Sequence, residues 1–333
     1  MSMKRPFLTG TVLAAVLGTA LLAWDASAAS PDPKLDSDGP GADEPTAQRP
    51  IHISFSEVES VRVILLPTSV EDRKGRAVRG LTRADFRLFD EGVPQPIQYF
   101  SVEGDEPVEV AFLLDVSGSM REVGKLDAAK DAIEYIVSSL RPSDRVALIC
   151  FADDQVQWVT EFTTDRDRFV ARLQVQVGYG QTAIHDALSA APGFVQAAAV
   201  GRKAMVLITD GVDNASLLSA ADALASARTA SVPIYVVGLS SSCADLGKKG
   251  AIPRNLEILR AYSTETGGML FAVQDPDDLK ESAAQILEDL RHQYMIGYSP
   301  QATVWDGRFR RVRLEATRGR VEIRTRTGYF ANP

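Results

Sequence analysis

The sequence predicts an α/β fold with a doubly wound, mostly parallel sheet, and three observations point there. From residue 108 onward, apolar strand-like runs alternate with helical patterns. The first helical pattern puts Leu126, Ala129, Ile133, Ile136, Val137 and Leu140 on one face, at spacings mostly of three and four. Two of the apolar runs, ending at Asp115 and Asp210, stop at a carboxylate, and such sheets bind ligands just beyond the carboxyl ends of their strands.

The strand candidates are 108–114, 145–151, 156–161, 203–209, 233–239 and 269–273. Further helices are expected over 182–199, 216–229, 254–265 and 277–291. Pro192 should kink or break the first of these, since proline removes a helical N–H. Gly267-Gly268 reads as a helix stop.

Shorter strand patterns flank this region. On the amino side, within 51–103, they cover 51–55, 61–66, 85–90 and 97–102, with turns at Lys74-Gly75 and Glu91-Gly92. On the carboxyl side, within 293–333, they cover 293–298, 309–316 and 321–330, punctuated by Gly307 and Arg318-Gly319. Neither flank alone holds enough residues for a confident core. They are expected to pair into one small β module, with an α/β domain of residues 108–292 inserted between them and able to fold by itself.

The first 28 residues read as a secretory signal. Lys4 and Arg5 precede a mostly apolar stretch from Phe7 to Trp24, and Ala26-Ser27-Ala28 supplies small residues for cleavage. Residues 29–50 are rich in Pro, Asp, Gly and Ser and read as a disordered linker. No later segment is long and apolar enough to span a bilayer, so the mature protein is expected to be secreted or periplasmic. In 333 residues the net charge is −8, which argues against nucleic acid as the main partner.

Val110-Ala-Phe-Leu-Leu-Asp-Val-Ser-Gly-Ser-Met120 carries the most chemistry. A buried strand ending in Asp-x-Ser-x-Ser gathers the Asp115 carboxylate with the Ser117 and Ser119 hydroxyls. Hard oxygen donors of that kind suit Mg²⁺ or Mn²⁺. One carboxylate leaves a divalent ion under-neutralised, so a partner's carboxylate would complete it. Either serine alone is better explained by a turn or a helix N-cap.

This pattern resembles the metal-ion-dependent adhesion site of von Willebrand factor A domains, which have a Rossmann-like fold. The resemblance covers roughly residues 108 to 292. It implies a Thr from a later loop and an Asp at the end of a later strand. Gly178-Tyr-Gly-Gln-Thr182 supplies the first and Ala204-Met-Val-Leu-Ile-Thr-Asp-Gly211 the second, so the implied metal set is Asp115, Ser117, Ser119, Thr182 and Asp210. The flanks are similar to an exported bacterial group called VWFA-related, through Gly80-Leu-Thr-Arg-Ala-Asp-Phe86, Asp90-Glu-Gly-Val-Pro-Gln-Pro-Ile97, Gly297-Tyr-Ser-Pro300 and Asp306-Gly-Arg-Phe309.

The implied function is adhesion: binding of an acidic group on a protein partner through a Mg-type site, with no catalysis. The rival class is a metal-dependent hydrolase, such as a phosphatase using Asp115 as nucleophile. That chemistry wants a second acid where Ser117 stands, and no Lys in the candidate loops is clearly placed to stabilise phosphate. A Ser-His-Asp hydrolase lacks its Gly-x-Ser-x-Gly elbow, and a structural module without metal leaves the complete oxygen set unused. Asp213, Asn214, Asp153 and Asp154 read as loop and turn residues, and His185 as a helix residue near the metal loop. The two cysteines, Cys150 and Cys243, are expected to be free thiols, because the family's strand order would hold them apart.

Overall fold

The computed structural model describes residues 62–102, 107–198, 202–239, 254–273, 276–300 and 304–332. The expected signal, the linker, the strand at 51–55 and Cys243 lie outside the described residues.

The amino flank contributes β1 (Ile64–Glu71), β2 (Phe86–Asp90), β3 (Val93–Gln95) and β4 (Tyr99–Ser101). The α/β region follows as β5 (Val108–Asp115), α1 (Lys125–Ser139), β6 (Arg145–Ala152), β7 (Gln155–Thr163), α2 (Arg166–Gln174), α3 (Ile184–Ala198), β8 (Arg202–Thr209), α4 (Ala220–Thr229), β9 (Ile234–Leu239), α5 (Arg254–Thr266), β10 (Leu270–Val273) and α6 (Pro276–Arg291). The carboxyl flank adds β11 (Tyr294–Tyr298), β12 (Phe309–Ala316), β13 (Glu322–Arg324) and β14 (Gly328–Phe330).

The central sheet has six strands in the order β10-β9-β8-β5-β6-β7, parallel except for β7. Every residue of β5 is buried, as a strand covered on both faces requires. The pleat divides its side chains. Val110, Phe112 and Leu114 join a core with α1, α2 and α6, whereas Ala111 and Leu113 join one with α3, α4 and α5. From β5 the chain crosses to β6 on one side and, later, to β8 on the other. The crevice beyond the carboxyl ends of β5 and β8 is therefore the topological switch point of the sheet. Asp115 and Asp210 flank that crevice.

The two flanks interleave as a β module of two four-stranded antiparallel sheets, β13-β1-β11-β4 and β14-β12-β2-β3. Leu66 pairs with Ile296 and Leu88 with Leu314, and these residues share one core with Tyr294, Tyr298 and Tyr329. Under that core the buried Asp90 Oδ2 accepts hydrogen bonds from Tyr298 Oη at 3.0 Å and Tyr329 Oη at 2.9 Å.

Three expectations need correction. The run 321–330 is two strands in different sheets, because residues between them dock on the α/β region. There Arg326 is buried, its guanidinium donates to the Arg228 carbonyl at 3.2 Å, and Thr327 N donates to the Glu265 carbonyl at 3.1 Å. Helix α3 is not broken at Pro192 and continues to Ala198, with Ala191 and Val195 in the core on either side of the proline. Helix α2 was not expected at all. Its only buried apolar residues are Phe169 and Leu173, too few for a readable period, and its start is fixed by Asp165, whose side chain accepts from Arg168 N at 3.0 Å. Cys150 lies buried in β6 as a free thiol, with burial pushing its pKa up to about 12.

Candidate metal centre

The implied set is delivered by three pieces of backbone, the turn after β5, the glycine loop and the end of β8. Asp115 is the last residue of β5 and is fully buried. One carboxylate oxygen accepts the Ser117 N–H at 2.9 Å, and the other accepts the Thr209 hydroxyl at 2.6 Å. Thr209 ends β8, so this second bond ties together the two strands that border the crevice. Beyond Ser117 the chain turns into a 3₁₀ segment, Gly118–Gly124, which brings the Ser119 hydroxyl to 3.1 Å from that of Ser117.

The glycine loop is laced to this first loop through backbone. Tyr179 N donates to Val116 O at 2.7 Å, and Gly118 N donates to Gly180 O at 3.0 Å. Thr182 follows, almost fully buried at the entrance to α3, with its N–H donating to Asn214 Oδ1 at 2.8 Å. The Thr182 carbonyl accepts from Asn214 N and Ala215 N, at 3.0 and 3.1 Å. The loop after β8 thereby fixes Thr182 from behind. Asp213 and Ser216 from that loop also accept from His185 N, at 3.2 and 3.0 Å. The His185 ring meets Tyr262 Oη through Nδ1 at 3.0 Å, so its contact is with helix α5.

Asp210 is buried, and its two oxygens differ. Oδ2 lies 3.1 Å from Lys125 Nζ, whereas Oδ1 is buried with no hydrogen-bond partner among the described residues. A buried lone pair left unmatched is costly. Asp115 is raised in pKa to about 6, chiefly by burial; hydrogen bonds from Thr209 and Ser117 oppose this, and the nearby Asp210 charge adds to it. Two desolvated carboxylates beside three hydroxyls form a donor set that could hold a hard divalent cation. Among the described residues no group of three or more His, Cys, Asp or Glu could do so.

The sequence profile of the von Willebrand factor type A domain matches residues 109–285, more than half of the chain. The chain belongs to the von Willebrand factor type A family. An uncharacterized protein of Borreliella burgdorferi is 27% identical over 187 residues, which is 50% of this chain and 54% of that protein. The chain thus spans about half the length of the curated relative it matches. Among solved structures, an aerotolerance-related membrane protein from Bacteroides fragilis is similar at 22% identity, covering 54% of this chain and 98% of that one, with a TM-score of 0.41. Proximal thread matrix protein 1 from mussel byssus, with a zinc-occupied MIDAS motif, is similar at 17% identity, covering 62% and 50% of the two chains, with a TM-score of 0.48.

Two residues around the VWA crevice escaped the sequence reading. Lys125 opens α1 and reaches Asp210 across the crevice, although no lysine was expected there. Its separation of 85 residues from Asp210 leaves no local signal. Asp153 does lie in a turn, between β6 and β7, and from there it also braces the glycine loop. Its Oδ1 accepts from Gln181 N at 2.7 Å and its N–H donates to Gln181 O at 2.8 Å, from a positive φ of 51°. Gly180 must be glycine for two reasons: its φ is +66°, and a Cβ there would collide with the Asp153 carboxylate.

Proposed function

We propose that this VWA chain is an exported, non-enzymatic binding protein that engages an acidic side chain of a protein partner through Mg²⁺ or Mn²⁺. Asp115, Ser117, Ser119, Thr182 and Asp210 would hold the ion, directly or through water. When bound, the ion supplies an electrophilic position that accepts a carboxylate from outside. The chain's own part is to desolvate Asp115, align the serines along the 3₁₀ segment, and hold Thr182 against the loop after β8.

The observation that carries this reading is the Asp210 Oδ1 atom, buried without a partner in the crevice. A cation would satisfy it. The surroundings favour a protein as partner. Val177, Tyr179, Val212, Leu217 and Leu218 are exposed on the same two loops, with Leu217 at 91%. Apolar side chains gathered around a polar centre mark protein interaction surfaces. The hydrolase reading gains a cation in Lys125, but it still lacks a second acid beside Asp115, where Ser117 stands.

Export rests on the signal-like pattern of residues 1–28, together with the finding that no described helix is long and apolar enough to cross a membrane. The test is calorimetric titration of Mg²⁺ and Mn²⁺ into wild type and Asp115→Ala, with a pull-down from the exported fraction in Mg²⁺ and in EDTA. Binding by wild type alone, and metal-dependent capture, are expected. Equal metal binding by both proteins would sink the proposal.

A further inference from the structure

We infer that the cavity beside the metal loop is an anion-binding subsite, which takes a second acidic side chain from the same partner segment. It deepens the metal-dependent binding reading, on which the first carboxylate depends. The cavity has a volume of about 440 Å³ and lies between the 3₁₀ segment, the first turns of α1 and the glycine loop. Met120, Leu126 and Val177 give it apolar walls, and Arg121 and Lys130 give it charge.

Arg121 is built into this position. The absence of a side chain at Gly178 lets the Arg121 stem lie across it. A Cβ there would stand 2.5 Å from Arg121 Cγ and 2.9 Å from Ser117 O. The arginine thus crosses the loop immediately beside Ser117, at the border between metal crevice and cavity. Among the described residues its guanidinium has no hydrogen-bond or ion-pair partner.

Lys130 is only 7% exposed, yet among the described residues no carboxylate pairs with it. Its ammonium donates to the Gln174 carbonyl at 3.1 Å, which uses one of three donors. Asp127 is the acidic residue of the lining, and it is solvent-exposed. Two cations against one hydrated carboxylate leave the cavity positive on a chain whose net charge is −8.

An ammonium in a concave, largely desolvated site attracts anions more strongly than one on an open surface. The planar fork of Arg121 matches a carboxylate bidentately. Val177, 69% exposed at the cavity lip, offers contact to the methylenes of a Glu. A peptide whose first carboxylate faces Ser119 would pass Arg121 within its next few residues. The partner is therefore a segment carrying two nearby acidic side chains.

The probes are N-acetylglutamate amide and acetylated tetraglutamate amide, titrated into the full chain in Mg²⁺ and in EDTA. In Mg²⁺, tetraglutamate should bind wild type at least tenfold more tightly than the single glutamate. Arg121→Gln should reduce that advantage to about threefold or less without weakening Mg²⁺ binding. Lys130→Met should act in the same direction, and Arg121, being exposed, supplies the variant that keeps the fold. In EDTA, wild type should retain weak, salt-sensitive tetraglutamate binding that Arg121→Gln lacks. Asp115→Ala should lose the metal-dependent part for both probes and keep this residue. If Asp115→Ala binds both probes as wild type does in Mg²⁺, the metal reading fails while the Arg121 comparison still judges the subsite. Tetraglutamate binding unchanged in Arg121→Gln overturns the inference. So does inorganic phosphate binding in EDTA where tetraglutamate does not.

Discussion

The Lys125 ammonium lies 3.1 Å from Oδ2 of Asp210, and the opposite oxygen of that carboxylate is buried without a partner. The crevice thus carries a cation of its own. Lys125 opens α1 with its side chain only 20% exposed, and the more distant Glu122, 3.7 Å away, is largely in solvent. Asp210 is its principal anchor. An incoming divalent ion must share Asp210 with Lys125 or displace it. At an effective dielectric constant of about 20, two unit charges about 4 Å apart interact by about 4 kcal/mol. A lysine able to swing aside relieves most of that repulsion. Lys125→Met should therefore raise Mg²⁺ affinity by about tenfold, or ~1.4 kcal/mol. Calorimetry on both proteins measures this. Identical affinities would mean that Lys125 leaves the crevice at no cost.

Asp153 offers a test of loop bracing without touching any donor. Its carboxylate holds Gln181 N, one residue before Thr182. Asp153→Ala should weaken Mg²⁺ binding by roughly tenfold, as loss of an outer-layer partner commonly does by 10–100-fold. The melting temperature of the metal-free protein should change little, because Asp153 stands outside the core. A large loss of metal-free stability with unchanged metal affinity would count against the bracing role.

Asp115 sets binding against stability. Its folded pKa of about 6 lies above the ordinary value of 3.8, chiefly through burial. Folding therefore favours the protonated form. In metal-free protein the cost of ionising Asp115 sets in as pH rises from about 4 through about 6, and is in full force above that. The penalty is on the order of 3 kcal/mol. Asp115→Asn keeps the shape without the charge, and its amide can donate to Thr209 Oγ1. In EDTA at neutral pH this variant should melt at or above wild type, yet show no stabilisation by Mg²⁺. Thermal melts across pH check both halves. A metal-free variant much less stable than wild type would contradict the argument.

These tests also mark where the sequence was legible. The Asp-x-Ser-x-Ser turn, the glycine loop and the Asp-Gly ending of β8 are local patterns, and hydrogen bonds join the first to each of the others, from Gly118 N to Gly180 O and from the Thr209 hydroxyl to Asp115. Alternating strands and helices were legible because the central strands β5, β6, β8 and β9 are nearly continuous apolar runs. Lys125 and Asp153 were not, since their meaning lies in contacts with Asp210 and Gln181, far off in the chain. The division of residues 321–330 between two sheets was hidden for a similar reason. It follows from Thr327 and the buried Arg326 docking on Glu265 and Arg228, which no pattern within the run announces.

Besides the docking of Arg326 and Thr327, the flanks and the α/β region share a largely buried ionic group. Asp289 on α6 receives Arg324 from β13 at 3.0 Å and the Tyr235 hydroxyl from β9 at 2.6 Å, while Arg324 also reaches Glu71 on β1. Asp289 is 6% exposed. Removing one member of a buried pair typically costs about 3–5 kcal/mol, because it strands the other's charge. We propose residues 108–292 as a domain inserted into the β module, with this contact making the two unfold together. Full-length protein should then show one urea transition, with circular dichroism and tryptophan fluorescence coinciding. Asp289→Asn and Arg324→Met should each shift its midpoint strongly downward. The double variant should cost about 1–3 kcal/mol less than the sum of the two, since the Arg324–Asp289 term is then lost only once, while Glu71 loses Arg324 in the single and the double variant alike. Additive costs would deny the pair its coupling. Two separate transitions, with only one of them moved by Arg324→Met, would show that inserted domain and module are independent.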